Sequence, residues 1–232
     1  MTKRSFDDFD SHAKNYREIH TSNVKWSGAD SYYFAEHKVK LLGEFEANNK
    51  YRMLDLGCGD GATEMYIRQY FPSYNVTGID VSAESIAAAE KKMIPGTSFV
   101  IYDGKVIPFE DNYFDIVFVA AVLHHIEFSL HDIVLEEIHR VLKPGGRVYI
   151  FEHNPINPVT RYMVNTCVFD KDARLLTHAY TRKLLHKHLF RDASKRFILF
   201  FPRKKIFNPF LKLEKMLGWL PLGGQYFFRA VK

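Results

Sequence analysis

The segment with the clearest chemistry in this 232-residue chain is Asp55-Leu56-Gly57-Cys58-Gly59-Asp60-Gly61-Ala62. Its three glycines allow backbone to approach a ligand with no Cβ in the way. Read from Gly57, it satisfies the dinucleotide pattern G-x-G-x-x-G/A, and Asp80 follows about 20 residues on, where an acid would grip a ribose. The flanking charges argue for a different ligand. A pyrophosphate needs a helix N-terminus free of negative charge, yet Asp55 precedes the glycines and Asp60 lies within them. Each carboxylate would oppose a doubly anionic bridge by about 1 kcal/mol. A cofactor with an amine, a positive centre and a ribose but no phosphate fits better, and S-adenosylmethionine meets that description. The alternative from this pattern is an NAD(P)-dependent oxidoreductase.

A second group of reactive side chains lies further along. His124-His125 follows one apolar run and Glu152-His153 follows another. Displacement at a sulfonium methyl needs an in-line nucleophile, excluded water and, for a hydroxyl or a protonated amine, a general base. Glu152 or His153 is the candidate base, and His125 the third catalytic candidate. The competing reading makes His125 a packing or cofactor-holding residue and ties Glu152 and His153 to the Asn-Pro turn. A metal centre is not expected, because neither His124-His125 nor His186/His188 has a matching acid or cysteine cluster in the sequence. Cys58 and Cys167 read as packed thiols, and two cysteines make no disulfide framework.

The elements that must carry these groups alternate. Short apolar runs at 53–56, 75–80, 98–102, 114–120 and 147–151 read as strands. Between them, 61–70, 83–92 and 131–142 carry helical patterning, and Lys143-Pro144-Gly145-Gly146 reads as a helix stop and turn. Strands alternating with helices indicate a parallel α/β sheet. Beyond residue 151 lie the turn-rich Asn154-Pro155-Ile156-Asn157-Pro158, helices at 159–169 and 181–190, and aromatic strands at 197–201 and 226–231 that can pair antiparallel at one edge. The first 50 residues, rich in aromatics, read as a helical cap.

From Asp55 to Phe151 the sequence resembles the class I S-adenosylmethionine-dependent methyltransferases, in the small-molecule branch related to the ubiquinone/menaquinone methyltransferases. The resemblance rests on Asp55-Leu56-Gly57-Cys58-Gly59-Asp60-Gly61, Gly78-Ile79-Asp80-Val81-Ser82, Tyr102-Asp103-Gly104, Phe114-Asp115-Ile116-Val117 and Leu142-Lys143-Pro144-Gly145-Gly146, in the family's order and spacing. It implies a Rossmann-like, doubly wound, seven-stranded sheet, mostly parallel with an antiparallel C-terminal edge pair. It also implies roles. Asp55 and the backbone of Gly57 and Gly59, with Cys58 beside them, hold the methionine moiety. Asp80 takes the ribose hydroxyls and Val81 lines the adenine. Asp103 meets the adenine amino group, with Gly104 beside it. Ala120 offers backbone, and Tyr16 closes over the cofactor. The expected division is a cap over 1–50 and a methyltransferase domain over 51–232, with an acceptor-side insertion at 153–177. A non-catalytic S-adenosylmethionine-binding protein is the remaining alternative.

Composition bounds the acceptor. With 47% apolar and 25% charged residues the chain is ordinary globular matter. The apolar run 116–123 is too short to span a membrane, and the first ten residues hold no signal-peptide core. A cytoplasmic setting is expected, with room for peripheral membrane contact. Residues 1–160 carry 16 Lys+Arg against 23 Asp+Glu, whereas 161–232 carry 16 against 4. That basic third could meet an anionic membrane or a phosphorylated lipid. No nucleic-acid motif accompanies it. A small-molecule acceptor is the expected partner, and the sequence leaves its identity and the oligomeric state open.

Overall fold

The computed structural model describes residues 28–167, 170 and 172–232. The expected alternation is present. Strand β1 (Arg52–Leu56) leads through helix α2 (Ala62–Tyr70) to β2 (Asn75–Asp80), then through α3 (Ala83–Glu90) to β3 (Thr97–Ile101). Strand β4 (Phe114–Ala120), helix α4 (His131–Val141) and β5 (Leu142–His153) follow. Helix α1 (Ser31–Leu42) precedes them. Helices α5 (Pro158–Thr166) and α6 (His178–Lys187), strand β6 (Arg191–Ile198), two four-residue helices α7 (Asn208–Leu211) and α8 (Glu214–Leu217), and β7 (Gln225–Val231) follow among the described residues.

The seven strands run in the order β3-β2-β1-β4-β5-β7-β6. Strand β7 pairs antiparallel with both β5 and β6, and the other pairs are parallel. Period-two alternation sorts the side chains onto two faces. Met53, Ile116, Phe118, Tyr149, Phe151 and Phe227 pack with Val39 and Leu42 of α1 and Ile67 of α2. Leu54, Leu56, Val117, Val119, Val148 and Ile150 pack with Leu135 and Ile138 of α4 and Leu184 and Leu185 of α6. The same alternation decides where each titratable group near a strand end points, which governs the site described below.

Several boundaries differ from the sequence reading. Strand β6 begins at Arg191 rather than Phe197. Its first six residues, Arg191 to Arg196, are mostly polar and lie at the sheet edge, where charge discourages pairing with another chain. The run 143–146, read as a turn, lies within β5, with an irregular register opposite Phe114–Ile116. Helix α6 starts earlier than read because the Thr177 side chain caps it, accepting from Tyr180 N–H. Helix α5 ends at Thr166, short of residue 169.

The Asn-Pro stretch proves to be a latch between the end of β5 and the start of β7. Asn154 is fully buried, and its Nδ2 donates to the carbonyls of Pro221 and Gly223 (3.0 and 2.8 Å). Its backbone N–H donates to Gly224 O (3.0 Å) and its Oδ1 accepts from Ile156 N–H (3.1 Å). Asn157 caps α5 through Thr160 N–H and donates to Leu222 O (2.7 Å). Replacing Asn154 by Ala strands the buried Gly223 carbonyl and the part-buried Pro221 carbonyl, costing up to about 1–3 kcal/mol each. Asn154→Ala is therefore expected to lower unfolding free energy in urea by about 2–4 kcal/mol, and a loss under 0.5 kcal/mol would contradict the latch.

Candidate functional site

The strand order reverses between β1 and β4, and a crevice opens beyond the carboxyl ends of the strands there. A cavity of about 380 Å³ occupies it, within the range of small-molecule sites. One end is the glycine loop. Gly57 holds φ +78°, and a Cβ there would lie 2.4 Å from Val122 Cγ2, so only glycine fits. Gly57 and Cys58 both donate N–H to Ile79 O (2.8 and 3.1 Å). Asp80 binds the loop from the neighbouring strand. Its Oδ2 accepts from Gly59 N–H (2.9 Å) and its Oδ1 from Ser82 N–H (2.9 Å). A Cβ on Gly59 would meet no protein atom within 4 Å. The loop thus borders open space shaped for a ligand's close approach.

Of the residues singled out from sequence, Gly57, Cys58, Gly59, Asp80, Val81, Gly104, Ala120, His125 and His153 line this cavity. Asp55, Asp103 and Glu152 are absent from its wall. Tyr16 lies outside the described residues. Asp103 is exposed, and its Oδ1 accepts from the N–H groups of Lys105 and Val106 (both 2.8 Å). These backbone bonds hold its carboxyl below the usual range. Asp55 lies on the Met53 face of β1, beneath α2, where its carboxyl meets that of Glu64. Burial pushes Asp55 up to about 7, and burial followed by the Asp55 charge pushes Glu64 well above the carboxylate range. Asp60 is ion-paired with Lys92 (2.8 Å). Asp80 and Asp60 both line the glycine-loop end of the cavity, Asp60 with its charge paired to Lys92, while Asp55 lies off the wall. The Cys58 thiol, raised by burial and then by Glu64, stays protonated.

The other end of the cavity is a cluster that sequence separation concealed. Glu152 follows Val148 and Ile150 in alternation, so it points beneath the 3₁₀ turn Leu123–His125. Its Oε1 accepts from Leu123 N–H (2.9 Å) and its Oε2 lies 2.6 Å from His124 Nδ1. Asp170 completes the group, 3.7 Å from His124 Nε2 and 3.5 Å from His125 Nε2. The sequence reading paired no acid with these histidines. Asp170 reaches them because Arg174 N–H donates to His124 O (2.8 Å), folding the segment after α5 back over the turn. Buried His131 secures the turn from beneath, with Nε2 2.9 Å from Leu123 O and 3.1 Å from Ile126 O. Burial opposes the charge on His124, but Glu152 and Asp170 outweigh it and lift the imidazole to about 9. Burial and then the His124 charge depress His125 to about 3 and His153 to about 4, so both are neutral.

Residues 54–150 match the methyltransferase-domain family. Over these residues the chain is a methyltransferase domain. It is 32% identical over 123 residues to the ubiquinone/menaquinone biosynthesis C-methyltransferase UbiE of Burkholderia multivorans, covering 51% of this chain and 50% of that protein. It is 36% identical over 109 residues to the demethylmenaquinone methyltransferase of Thermotoga maritima, covering 47% and 46%. The chain thus spans about half the length of the curated relatives it matches. The methyltransferase fold continues outside the matched segment. A Thermotoga maritima S-adenosylmethionine-dependent methyltransferase structure superimposes with a TM-score of 0.71 at 18% identity, covering 98% of this chain and 99% of that one. The domain's cofactor is S-adenosylmethionine, and the open cradle at Gly59 with Asp80 beside it fits that group.

The Asp55–Glu64 pair carries a pH signature in the cofactor-free protein. Both groups bind protons more tightly folded than unfolded, so their stabilisation is full below about pH 4. For Asp55 it is lost as pH rises through about 7. Asp55→Asn removes that titration. The variant's melting temperature relative to wild type is expected to rise from pH 5 to pH 8, and a difference independent of pH would exclude the raised Asp55.

Proposed function

We propose that this chain transfers the methyl group of S-adenosylmethionine to an apolar small-molecule acceptor drawn from an anionic membrane surface, such as a lipid- or sugar-linked envelope intermediate. The observation that carries this reading is the continuity of one cavity, whose wall runs from Gly57, Gly59 and Asp80 past His124, His125 and His153 to Met163 and Phe200-Phe201. When bound, the cofactor supplies an electrophilic methyl on a sulfonium. Asp80 holds the ribose hydroxyls, and the backbone of Gly57 and Gly59, with Cys58, holds the methionine moiety. Val81 and Gly104 flank the adenine, and Ala120 contributes backbone. Asp55 supports the loop from below, and Asp103 shapes the loop that carries Gly104. Glu152 acts through His124, not on the acceptor directly. His153, neutral and facing the cavity, is the group suited to accept an acceptor proton. Helix α5 and the segment around 153–177 make the acceptor wall.

The exposed surface beside that wall supports a membrane-derived acceptor. Phe201 lines the cavity, and its ring meets those of Phe207 and Phe210 (centroids 6.4 and 5.7 Å). Beyond them Ile206, Met216 and Trp219 are exposed by 76%, 72% and 74%. Lys204, Lys205, Lys212 and Lys215 stand in the same segment. Apolar side chains inserted beside basic ones are how a surface binds anionic lipid, each basic residue contributing about 1 kcal/mol. The quinone-directed names of the relatives above agree with an apolar acceptor. Among the described residues no helix is long and apolar enough to cross a membrane.

Calorimetry with S-adenosylhomocysteine tests the cofactor half. Asp80→Ala is expected to weaken binding at least about tenfold, since charge-assisted hydrogen bonds are lost. Unchanged affinity in the folded variant would remove that role, and tighter binding of NADH would overturn the reading. Vesicle flotation tests the surface. Binding to phosphatidylglycerol-containing vesicles but not to pure phosphatidylcholine is expected, together with its loss in Trp219→Ser/Lys204→Glu/Lys205→Glu. Equal binding to both vesicle types, or to neither, would exclude the anionic membrane source.

A further inference from the structure

We infer that His124, His125 and Asp170 bind one divalent first-row transition-metal ion at the acceptor end of the cavity, with a coordination position open toward the acceptor. The ion site rests on the donor set, and only its role toward the acceptor rests on the proposed methyl transfer.

The donor atoms are grouped as a metal site requires. One donor atom from each of the three residues lies within 4.8 Å of the other two. Asp170 Oδ1 is 3.5 Å from His125 Nε2 and 3.7 Å from His124 Nε2. Tetrahedral ligands bound at about 2.0–2.1 Å lie about 3.3–3.4 Å apart, so shifts of a few tenths of an ångström would close these two separations around an ion. Both are ion pairs at the long end of the range, with Asp170 facing both imidazoles.

The surroundings are also those of a ligand set. Glu152, with no exposed surface, engages His124 Nδ1 at 2.6 Å and so leaves Nε2 directed at Asp170. A carboxylate behind a ligating histidine is the usual means of fixing its tautomer and raising its basicity. Two imidazoles and one carboxylate suit zinc, iron(II) or cobalt(II), and not the oxygen-seeking magnesium or calcium. All three residues line the cavity, together with the apolar Ile126, Leu130 and Met163. Three protein ligands facing such a space leave a position for an exogenous oxygen. The acceptor class that follows is one bearing a hydroxyl, whose oxygen the ion would hold and acidify. The rival arrangement is a metal-free one, in which a doubly protonated His124 presents its Nδ1–H to Glu152 and its Nε2–H to Asp170.

Cobalt(II) alone, titrated into the metal-stripped full chain, is the probe. Visible d–d absorption of low-symmetry cobalt with one-to-one stoichiometry is expected. Asp170→Asn should weaken binding at least about 100-fold and Glu152→Gln about 10–100-fold, whereas the exposed His186→Ala should change nothing. Retained S-adenosylhomocysteine binding shows that each variant is folded. His125→Cys supplies a gain of signal, because it should keep the ion and add thiolate-to-cobalt charge transfer in the near ultraviolet. Absence of cobalt binding by the wild type, equal affinity in Asp170→Asn, or no charge-transfer band in His125→Cys would each overturn the site. None of these readouts involves methyl transfer, so the site and the proposed activity fail independently.

Discussion

A carboxylate cut off from water must be matched by the protein, and Glu152 is cut off completely. Leaving a buried charge without its partner costs about 3–5 kcal/mol. Much of the local architecture follows from that demand. The Leu123 amide satisfies one oxygen and the His124 ring the other. To present both, the chain after β4 turns through Ala121, whose φ of +61° is unusual for a residue with a Cβ, into a 3₁₀ turn. His131 then holds the carbonyls of that turn, and Tyr180 of α6 reaches His131 Nδ1 at 3.0 Å. Helix α6 is tied in turn to β7, where Thr181 Oγ1 lies 2.8 Å from the Tyr226 hydroxyl. One buried charge therefore links the end of β5, the turn after β4, helices α4 and α6 and the antiparallel edge.

The glycine loop obeys the same economics of burial with the opposite outcome. Alternation along β1 sends Asp55 toward α2, where Glu64 is also buried and burial outweighs the attraction of Lys38. The carboxyls respond by holding protons, as buried acids do when desolvation exceeds the pull of nearby charge. Asp80, one strand over, meets two backbone N–H groups and faces the cavity. Of the two acids that disfavour a pyrophosphate in the sequence, Asp55 lies off the cavity wall and holds a proton, while Asp60 lines the cavity paired with Lys92.

The cofactor half was legible because its constraints are local. The glycines, the spacing to Asp80 and the apolar period of 114–120 each act within one βα unit, and the strands appear where those patterns place them. Strand β6 extends before the aromatic run because its residues Arg191 to Arg196 follow the rules of an edge, which favour charge over apolar alternation. The histidine end is not legible in the same way. Asp170 joins His124 across 46 positions through a backbone hydrogen bond from Arg174, and no residue pattern announces such a bond. Asn154 and Asn157 look like turn formers. Their side chains secure the 221–224 turn, more than 60 residues away, a role visible only once β7 lies beside β5.

These two halves divide the work of one cavity between rigid and irregular structure. Parallel strands with both faces covered fix Gly57, Asp80 and Ala120 to the sheet itself, so the cofactor end inherits the precision of the core. The end that holds the histidines is assembled from a 3₁₀ turn, helix α5 and described residues of the loop leading to α6, pieces that vary easily in length. They are kept in register by buried polar anchors instead of by a ladder: Glu152 under the turn, Asn154 across the latch, and Tyr226 beneath Leu176, whose carbonyl accepts from its hydroxyl at 2.9 Å. Polar anchors specify geometry more narrowly than apolar packing does, because a displaced partner forfeits a hydrogen bond in a place water cannot reach. An irregular wall tethered in that way can hold three histidines and two acids at fixed positions beside the mouth of the cofactor site.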